Sequence, residues 1–302
     1  MSQHPTTNYF AAFVMTFERS HLINDTIDKL LVQSMPPEKV LIIDNSISSK
    51  TQDFFSDYKN PKVEYFRVGK NLGPAGAAKI GLERLSQEGF KWIYWGDDDD
   101  PPFFKDTFEV LLNMANALPD CGCVGAVGQF FNKKTGLIDR VSDELLKSTG
   151  KLKVDTIAGN MSKIINSNVI LKNKVLPDES LFFGMEELDY DLRMQKAGFN
   201  LYVDRSMYLR YRLESNHLGK SVKRGLKKDS SRMQRDYYST RNGLYIFKKN
   251  ILILALFINI FRIIYKMLTS FKYGTNYGKR YSGYLWRALR HFLKGKKGRV
   301  VF

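Results

Sequence analysis

Four consecutive carboxylates follow an apolar, aromatic run in the segment Trp92-Ile93-Tyr94-Trp95-Gly96-Asp97-Asp98-Asp99-Asp100-Pro101-Pro102. The run is typical of a buried strand, which must end at the acids because Asp is unfavourable in strands. Mg²⁺ and Mn²⁺ bind oxygen ligands and commonly use one or two carboxylates together with substrate phosphates. The segment therefore predicts a divalent cation site. The alternative is a solvated acidic turn that caps the next helix.

Short apolar runs alternate with helical patterns on either side of this segment. Helical spacing of apolar residues separates the first two runs, and Pro36-Pro37 ends that helix. The β-α-β-α-β order is typical of an α/β fold with a parallel, doubly wound sheet and right-handed crossovers. Strands are predicted at 9–15, 40–43, 63–68, 121–131 and 166–171, further helices at 75–87 and 104–118, and irregular loops over the site at 132–160.

Polar side chains follow three of the predicted parallel strands. They are Thr16 to Arg19, Asp44 and the acids that begin at Asp97. Open α/β sheets bind ligands in the crevice at the carboxyl ends of their strands, so these residues are candidate ligand contacts. The chain has no Gly-x-Gly-x-x-Gly after its first strand and no Gly-Lys-Ser/Thr loop, which argues against a dinucleotide dehydrogenase and a P-loop ATPase.

A second acidic segment begins at Glu186. At helical spacing, Glu186, Asp189 and Arg193 share one face, and Glu187 and Asp191 share another. Acids in the first turn of a helix also stabilise it through the helix dipole. The residues alone therefore leave both a functional and a purely structural interpretation open.

Charge divides the chain unevenly. Residues 205–302 contain 24 Lys and Arg against three acids, a net charge of +21, whereas residues 1–204 carry a net charge of −5. Such a basic third suits anionic lipid, nucleic acid or another polyanion. Cys121 and Cys123 are predicted to point to one face of a sheet as buried thiols in a reducing compartment. The N-terminus lacks the pattern of a signal peptide, which predicts a cytosolic protein or one on the cytosolic membrane face.

Residues 250–268 are the most apolar part of the chain. The uninterrupted run is shorter than a membrane span needs, and Asn259, Arg262 and Lys266 form a polar stripe at helical spacing. We expect an amphipathic helix in the bilayer interface, followed by a basic tail in which Trp286 and Phe292 are interfacial anchors. The alternative is a helix that packs on the catalytic domain or on another subunit.

Six motifs occur in order along the chain: Thr16-Phe17-Glu18-Arg19, Asp44-Asn45-Ser46, Asn71-Leu72-Gly73-Pro74-Ala75-Gly76, the acids at 97–100, Glu186-Glu187-Leu188-Asp189, and Tyr237-Tyr238-Ser239-Thr240-Arg241-Asn242. Together they resemble the inverting, nucleotide-sugar-dependent glycosyltransferases of family 2, which have the GT-A fold. The resemblance covers most of the chain and is greatest to bacterial galactofuranosyl- and rhamnosyltransferases of surface-polysaccharide assembly, such as O-antigen or capsule. It implies a catalytic domain at 1–215 and a helical, basic, membrane-associating extension at 216–302.

The resemblance also implies roles for individual residues. Glu187 matches the catalytic base, although the second acid of the usual pair is here a Glu, which leaves the choice between Glu186 and Glu187 open. Glu186 and Asp189 would contact the acceptor. The implied metal ligands are Asp97, Asp99 and His217, and the implied donor contacts are Thr16, Glu18, Arg19, Asp44, Asn71, Asp97 and Asp98.

The implied reaction transfers a sugar from a nucleotide sugar to a hydroxyl of a lipid-linked glycan with inversion. A carboxylate base and a bound Mn²⁺ or Mg²⁺ suit this chemistry. UDP-galactofuranose is the first expected donor and dTDP-rhamnose the second. The expected partners include an anionic membrane surface and no nucleic acid, with a homo-oligomer left open, and the expected location is the inner face of the cell membrane. The main alternative is a two-metal nucleotidyltransferase that acts on nucleotides or nucleic acid.

Overall fold

A computed structural model describes residues 10–219 and 228–302. The strands are β1 (Phe10–Thr16), β2 (Lys39–Asp44), β3 (Val63–Arg67), β4 (Trp92–Asp97), β5 (Cys121–Gly125), β6 (Gln129–Asn132), β7 (Leu137–Arg140), β8 (Lys151–Val154), β9 (Lys163–Asn166) and β10 (Asn200–Asp204). The α-helices are α1 (Ser20–Leu31), α2 (Lys50–Ser56), α3 (Gly73–Gln87), α4 (Thr107–Asn116), α5 (Asp143–Leu146), α6 (Asn168–Leu171), α7 (Glu186–Lys196), α8 (Arg205–Glu214), α9 (Ser230–Lys249), α10 (Ile253–Thr269) and α11 (Thr275–Leu293). Short 3₁₀ helices lie at Glu179–Leu181 and Ser270–Tyr273.

Eight strands of the described chain form one sheet in the order β3-β2-β1-β4-β9-β5-β10-β8, and β6 pairs with β7 in a separate hairpin. β9 runs antiparallel to β4 and β5, β8 runs antiparallel to β10, and the other neighbours are parallel. This confirms the predicted mostly parallel, doubly wound sheet of the GT-A type. The strand order reverses between β1 and β4, where open α/β sheets bind ligands.

Both faces of the sheet are buried, which explains why the parallel strands read as continuous apolar runs. On one face, α3 packs through Ala78 and Leu82 against Phe13 of β1 and Trp95 of β4. On the other face, the apolar stripes of α1 and α4 cover the side chains that point the opposite way, such as Tyr94. Beyond the carboxyl ends of these strands, outside the two buried faces, polar side chains can reach a solvent-accessible cavity.

Two predictions for the middle of the chain are wrong. The apolar run 166–171 was predicted as a strand, but the strand β9 precedes it and α6 occupies its second half. Asn166 starts the change, because its side-chain oxygen accepts a hydrogen bond from the backbone N–H of Asn168 and turns the chain. The region 132–160 was predicted as loops, but it contains the β6–β7 hairpin, α5 and β8.

The two cysteines lie on opposite faces of the sheet, which corrects the prediction of a shared face. Cys123 belongs to the cluster that contains Trp95, and Cys121 belongs to the cluster on the other face. The cause is an irregularity in the β5–β10 pairing, where consecutive residues of β10 pair with Cys121 and Cys123 and so skip Gly122. Both thiols are buried, and burial raises the pKa of Cys121 to about 12.

The three C-terminal helices pack together and return to the sheet domain. α10 and α11 bury Ile263, Leu285 and Leu289 against Leu244 of α9. α9 and α10 in turn contact Leu188 and Leu192 of α7, together with Phe131 of β6. In the described residues, the segment Ile253–Tyr273 is the one helical region that is long and apolar enough to cross a membrane, by length and composition alone.

Candidate active site

A cavity of about 670 Å³ opens at the carboxyl ends of β1 and β4, where the strand order reverses. The fold brings seven of the predicted site residues into its wall: Thr16, Arg19, Asn71, Asp97, Asp99, Glu186 and Glu187. The other five predicted site residues do not line it: Glu18, Asp44, Asp98, Asp189 and His217.

Alternation along β4 separates the first two acids of the cluster. Trp95 and Asp97 point to the same side and both line the cavity, whereas Asp98 points away and is fully buried. Burial, Glu187 and the three neighbouring Asp residues together raise the pKa of Asp97 to about 7. The half-buried Asp97 carboxylate therefore lies among negative charges that a bound cation would relieve.

Arg19 forms ion pairs with two of these acids. Its guanidinium is 2.5 Å from Oδ1 of Asp98 and also pairs with Asp99. The other Asp98 oxygen accepts a hydrogen bond of 2.6 Å from the Thr16 hydroxyl, and the Asp98 carbonyl accepts one from Thr26. Burial raises the pKa of Asp98, although Thr16 and Arg19 oppose that shift. Asp98 thus supports the cavity wall through buried contacts and does not itself face the cavity.

Glu186 and Glu187 enter the cavity from the first turn of α7. The residue before them, Met185, adopts a left-handed backbone conformation with φ of 70°, which starts the helix abruptly. Oε1 of Glu187 accepts a hydrogen bond of 3.3 Å from the backbone N–H of Gly159. Glu186 is buried, one of its oxygens has no hydrogen-bond partner, and burial followed by the charge of Glu187 raises its pKa.

Asp44 and Glu18, two residues predicted to contact the donor, form hydrogen bonds behind the cavity wall. Asp44 is fully buried and accepts hydrogen bonds from the Tyr65 hydroxyl at 2.6 Å and from the backbone N–H of Ser46 at 2.8 Å. The Glu18 carboxylate accepts hydrogen bonds from the Ser48 hydroxyl and from the backbone N–H groups of Ile47 and Ser48. The bond from the Ser48 hydroxyl, followed by the backbone bonds, lowers the pKa of Glu18. Asn45, the residue after Asp44, lines the cavity in its place.

Asp189 and His217 lie away from the other predicted site residues. Asp189 is buried between Arg193 at 2.7 Å and Lys249 of α9 at 3.0 Å, so it joins α7 to the C-terminal helices. His217 is exposed, and its Nδ1 lies 2.8 Å from the Ser215 hydroxyl. The structure does not bring these two side chains to the cavity wall.

The predictions missed Phe182, Phe183 and Arg235, which also line the cavity. Arg235 comes from α9, 48 positions after Glu187 in the chain, and its guanidinium lies over the Phe183 ring at 5.8 Å. A basic residue in a basic helix gives no local sign that it faces an acidic cavity. The aromatic pair before Glu186 was visible in the sequence but carried no separate prediction.

The motif that contains Arg241 and Asn242 supports the cavity from behind. The side-chain amide of Asn242 donates to the carbonyls of Leu181, Phe183 and Gly184 at 2.8–2.9 Å. The segment 181–184 leads into Glu186 and Glu187, so α9 helps to fix the part of the wall that precedes Glu186. Asn242 is fully buried, so its amide needs such partners.

Gly73 joins this segment to the loop at the start of α3. Its φ is +70°, and a Cβ added there would lie 2.1 Å from the carbonyl oxygen of Phe182. The Gly73 N–H is bound by the side chain of Asn71 at 2.8 Å, and Phe182 accepts the N–H of Ala75. Gly73 therefore allows close contact between two loops that both line the cavity.

Comparison with known proteins places this geometry in a family. The family model described as glycosyl transferase family 2 matches residues 12–178. The chain belongs to glycosyltransferase family 2. That range contains the strand-end acids of the cavity, and the C-terminal helices lie beyond it. Family membership makes the protein a glycosyltransferase and does not favour the nucleotidyltransferase alternative.

Curated relatives of this family-2 chain include two galactofuranosyltransferases. The chain is 24% identical to galactofuranosyltransferase GlfT1 of Mycolicibacterium smegmatis over 204 residues, which cover 64% of this chain and 67% of that protein. It is 23% identical to GlfT1 of Mycobacterium tuberculosis over 197 residues, which cover 62% of this chain and 64% of the relative. The chain thus matches about two thirds of the length of each.

Solved structures of low identity share the fold. S. aureus TarS 1-349 in complex with UDP-GlcNAc matches with a TM-score of 0.57 and 14% identity over 95% of this chain and 81% of TarS 1-349. Mannosyltransferase PcManGT from Pyrobaculum calidifontis, in complex with GDP-Man and Mn²⁺, matches with a TM-score of 0.51 and 13% identity over 98% of this chain and 90% of its own. These likenesses support the GT-A fold.

Proposed function

We propose that this protein is a metal-dependent, inverting glycosyltransferase that moves a sugar from a nucleotide sugar to a hydroxyl of a lipid-linked glycan. The observation that carries the proposal is one cavity lined by Asp97 at the end of β4, by Asp99 just after that strand, and by Glu187 of α7. UDP-galactofuranose is the first proposed donor, because the curated relatives are galactofuranosyltransferases. dTDP-rhamnose remains the second.

We assign Glu187 as the base that accepts the proton of the acceptor hydroxyl. It reaches the cavity and is less buried than Glu186, and the Gly159 N–H orients one of its oxygens. Burial and the charge of Glu187 raise the pKa of Glu186, so Glu186 is suited to remain neutral and donate a hydrogen bond to a sugar hydroxyl. A positioned carboxylate base contributes about 10²- to 10⁴-fold to such a reaction.

The residues of the cavity fit a hard divalent cation. Asp97 and Asp99 supply carboxylate oxygens, and burial, followed by the neighbouring negative charges, raises the pKa of Asp97 to about 7. The described residues contain no group of three or more His, Cys, Asp or Glu side chains placed to hold a metal. Mg²⁺ and Mn²⁺ often use one or two carboxylates and take their other ligands from water and phosphate. When bound, the cation stabilises negative charge on the leaving diphosphate.

The cavity also offers groups for the two substrates. Arg235 lies in its wall with its guanidinium over the Phe183 ring, so it is suited to bind the donor diphosphate. Phe182 and Phe183 provide aromatic surface, on which the apolar faces of sugar rings can pack. The mixture of acids, cations and aromatic rings matches a nucleotide sugar and a glycan better than a hydrophobic ligand.

A thermal-unfolding panel of nucleotide sugars, with and without Mn²⁺, tests the proposed chemistry. A donor that binds the folded protein raises the melting temperature by mass action. We expect UDP-galactofuranose to do so only with Mn²⁺ or Mg²⁺, and the Glu187→Gln variant to keep the shift but lose sugar transfer. The absence of a shift with every UDP-, dTDP- and GDP-sugar would contradict the proposal.

We also propose that α10 docks the protein on the inner face of the cell membrane. Its outer face leaves seven large apolar side chains exposed, with Phe271 of the following 3₁₀ helix beside them: Ile253, Leu254, Phe257, Phe261, Ile264, Tyr265 and Leu268. Monomeric soluble proteins rarely expose contiguous apolar surface of this kind. The helix is part of the chain's basic third, which suits an anionic bilayer.

Two of the three residues in the polar stripe of α10, Asn259 and Arg262, face the protein, whereas Lys266 is exposed. The Asn259 amide and the Arg262 guanidinium donate to the Thr135 carbonyl in the β6–β7 hairpin at 2.9 and 2.8 Å. Ala255 and Ile263 are buried in the same direction. This arrangement keeps α10 along the body of the protein and supports an orientation in which the helix lies in the bilayer interface instead of spanning it.

Sedimentation with vesicles that contain phosphatidylglycerol tests the docking surface. We expect Phe257→Asp/Phe261→Asp to release the protein from the vesicles, because the two rings are 56% and 69% exposed. Val32→Asp, at the residue that follows α1, is the matched control, since Val32 is 56% exposed outside the α10 face. Equal binding of the double variant and the control would overturn the docking proposal without affecting the proposed chemistry.

A further inference from the structure

One pair of opposite charges is fully buried beneath the cavity, and the proposed chemistry does not use it. Nζ of Lys163 lies 2.5 Å from Oδ1 of Asp191, and both side chains have no exposed surface. Lys163 starts β9 and pairs with Trp95 of β4, the last bulky residue before the acids. Asp191 lies one helical turn after Glu187 on α7.

The remaining hydrogen bonds of this pair all go to one short stretch of chain. Oδ2 of Asp191 accepts the Thr156 hydroxyl at 2.9 Å and the Ile157 N–H at 3.0 Å. Nζ of Lys163 donates to the Ile157 carbonyl at 2.8 Å. The pair therefore fixes both polar groups of the Ile157 backbone from opposite sides.

The segment 156–162, which begins at these bonds, reaches the reacting side chains. The Gly159 N–H donates to Glu187, and the Asn160 amide donates to Asp100 at 3.3 Å. Gly159 also lies against Trp95, because a Cβ added to it would be 2.9 Å from Nε1 of that indole. Little room remains for this segment to shift without moving Glu187 or Trp95.

Stability alone is a weak reason for such a pair. Burying two charges costs desolvation, and well-packed apolar residues often serve the folded state equally well or better. Lys163 also lies over the Trp95 and Tyr190 rings, at 5.3 and 5.7 Å from their centres, in a layer where the neighbours are otherwise apolar. The directed hydrogen bonds are what an apolar pair could not supply.

We propose that Lys163 and Asp191 are positioning residues that hold the segment 156–162 and, through the Gly159 N–H, orient the carboxylate of Glu187 toward the acceptor hydroxyl. The inference rests on the proposed function, in which Glu187 is the base. Neither side chain lines the cavity, so neither is expected to touch the substrates.

The double variant Lys163→Met/Asp191→Leu tests this role. It replaces the charges with apolar groups of similar size and so keeps the core filled. Because small misplacements of a reacting group cost about 10²-fold, we expect kcat to fall about 10²-fold. The affinities for Mn²⁺ and UDP-galactofuranose, measured by titration calorimetry, should stay within about threefold of wild type, which is under 1 kcal/mol. A kcat within threefold of wild type would overturn the proposal.

Phe108→Leu is the matched control for lost core stability. Phe108 is fully buried on the opposite face of the sheet and contacts neither the pair nor the segment. We expect this variant to lower the melting temperature but to keep kcat. If kcat instead follows melting temperature across both variants, the pair is only structural and the proposal fails.

A second variant covers the case in which the double variant does not fold. Gly159→Ala places a methyl group against Trp95 and should displace the N–H that binds Glu187, again lowering kcat while donor affinity is kept. Unchanged kcat in this variant would overturn the proposal, because the contact between Gly159 and Glu187 would then not affect the reaction. Wild-type protein that binds and transfers no nucleotide sugar would contradict the proposed function itself, which is a different outcome.

Discussion

The acids at 97–100 follow the end of a strand, and those at 186–191 begin a helix. In both sets, some acids line the cavity and others are buried against supporting residues. In the strand-end set, Asp97, Asp99 and Asp100 line the cavity, while Asp98 is buried against Thr16 and Arg19. Successive residues at a strand end point to opposite sides, so Asp97 reaches the cavity and Asp98 reaches the scaffold.

The helix-start set shows the same division at helical spacing. Glu186 and Glu187 face the cavity, whereas Asp189 binds Arg193 and Asp191 binds the buried Lys163. The two buried acids that turn away from the cavity each have a cation, as burial of charge requires. The comparison teaches that an acidic segment at a site supplies some acids to the cavity and others to the structure that supports it.

Glu187→Gln should give the largest effect of any single change in the two sets. The amide cannot accept the acceptor proton, so we expect kcat to fall by about 10²- to 10⁴-fold. Donor binding and melting temperature should be kept, since the Gly159 contact can remain. Glu144→Gln is the control, because Glu144 is exposed and pairs with Lys147, away from the cavity. A loss of activity as large in the control would break the contrast.

Asp99→Asn and Asp98→Asn should separate cavity from scaffold within the strand-end set. The first should abolish the Mn²⁺-dependent rise in melting temperature that the donor produces, because a proposed metal ligand is lost. The second should keep that rise but lower stability by about 1–3 kcal/mol, since Thr16 and Arg19 lose a charged partner. Thermal unfolding with and without metal and donor measures both. The reverse pattern would refute the division.

The pKa of Asp97, raised to about 7, predicts a pH dependence with a definite sign. Below pH 7 the carboxyl holds a proton that a metal must displace, so Mn²⁺ affinity should fall by up to about tenfold per pH unit. Without metal, the folded state binds this proton more tightly than the unfolded state, so stability should decrease as pH rises toward 7. Asp97→Asn should remove both trends, which calorimetry at pH 6 and pH 8 can check.

Asp189→Asn should have the smallest effect on activity. Its carboxylate is buried and joins Arg193 to Lys249, so we expect a stability loss of about 1–3 kcal/mol with kcat within about threefold of wild type. Urea unfolding and initial rates measure the two quantities. A large rise in KM for the acceptor would instead support the prediction from the resemblance, in which Asp189 contacts the acceptor.

Much of the fold could be predicted because its signals are local. The strand before Asp97 and the strand before Asp44 are apolar runs that end in acids, and the structure places both as expected. The run 166–171 misled because a short apolar segment does not distinguish a strand from a buried helix. The bond between Asn166 and Asn168 settles that choice in favour of α6.

The candidate site was predicted less completely, because spacing does not show which acid faces a cavity. Asp98 and Asp99 are adjacent and chemically identical, and only the twist at the end of β4 gives one to Thr16 and the other to the cavity. Arg235 was missed because it comes from a distant helix. The polar stripe of α10 could be predicted from the sequence. The contact between Arg262 and the β6–β7 hairpin could not.

The sequence by itself determined the alternation of strands and helices, the position of acids at strand ends and the basic charge of the last third. These follow from hydrophobic periodicity and composition, which act over a few residues. The tertiary structure decided which acids reach the cavity, where Lys163 finds Asp191, and which side of α10 stays exposed. Those outcomes depend on contacts between residues far apart in the chain, where packing and desolvation select the partner of each charge.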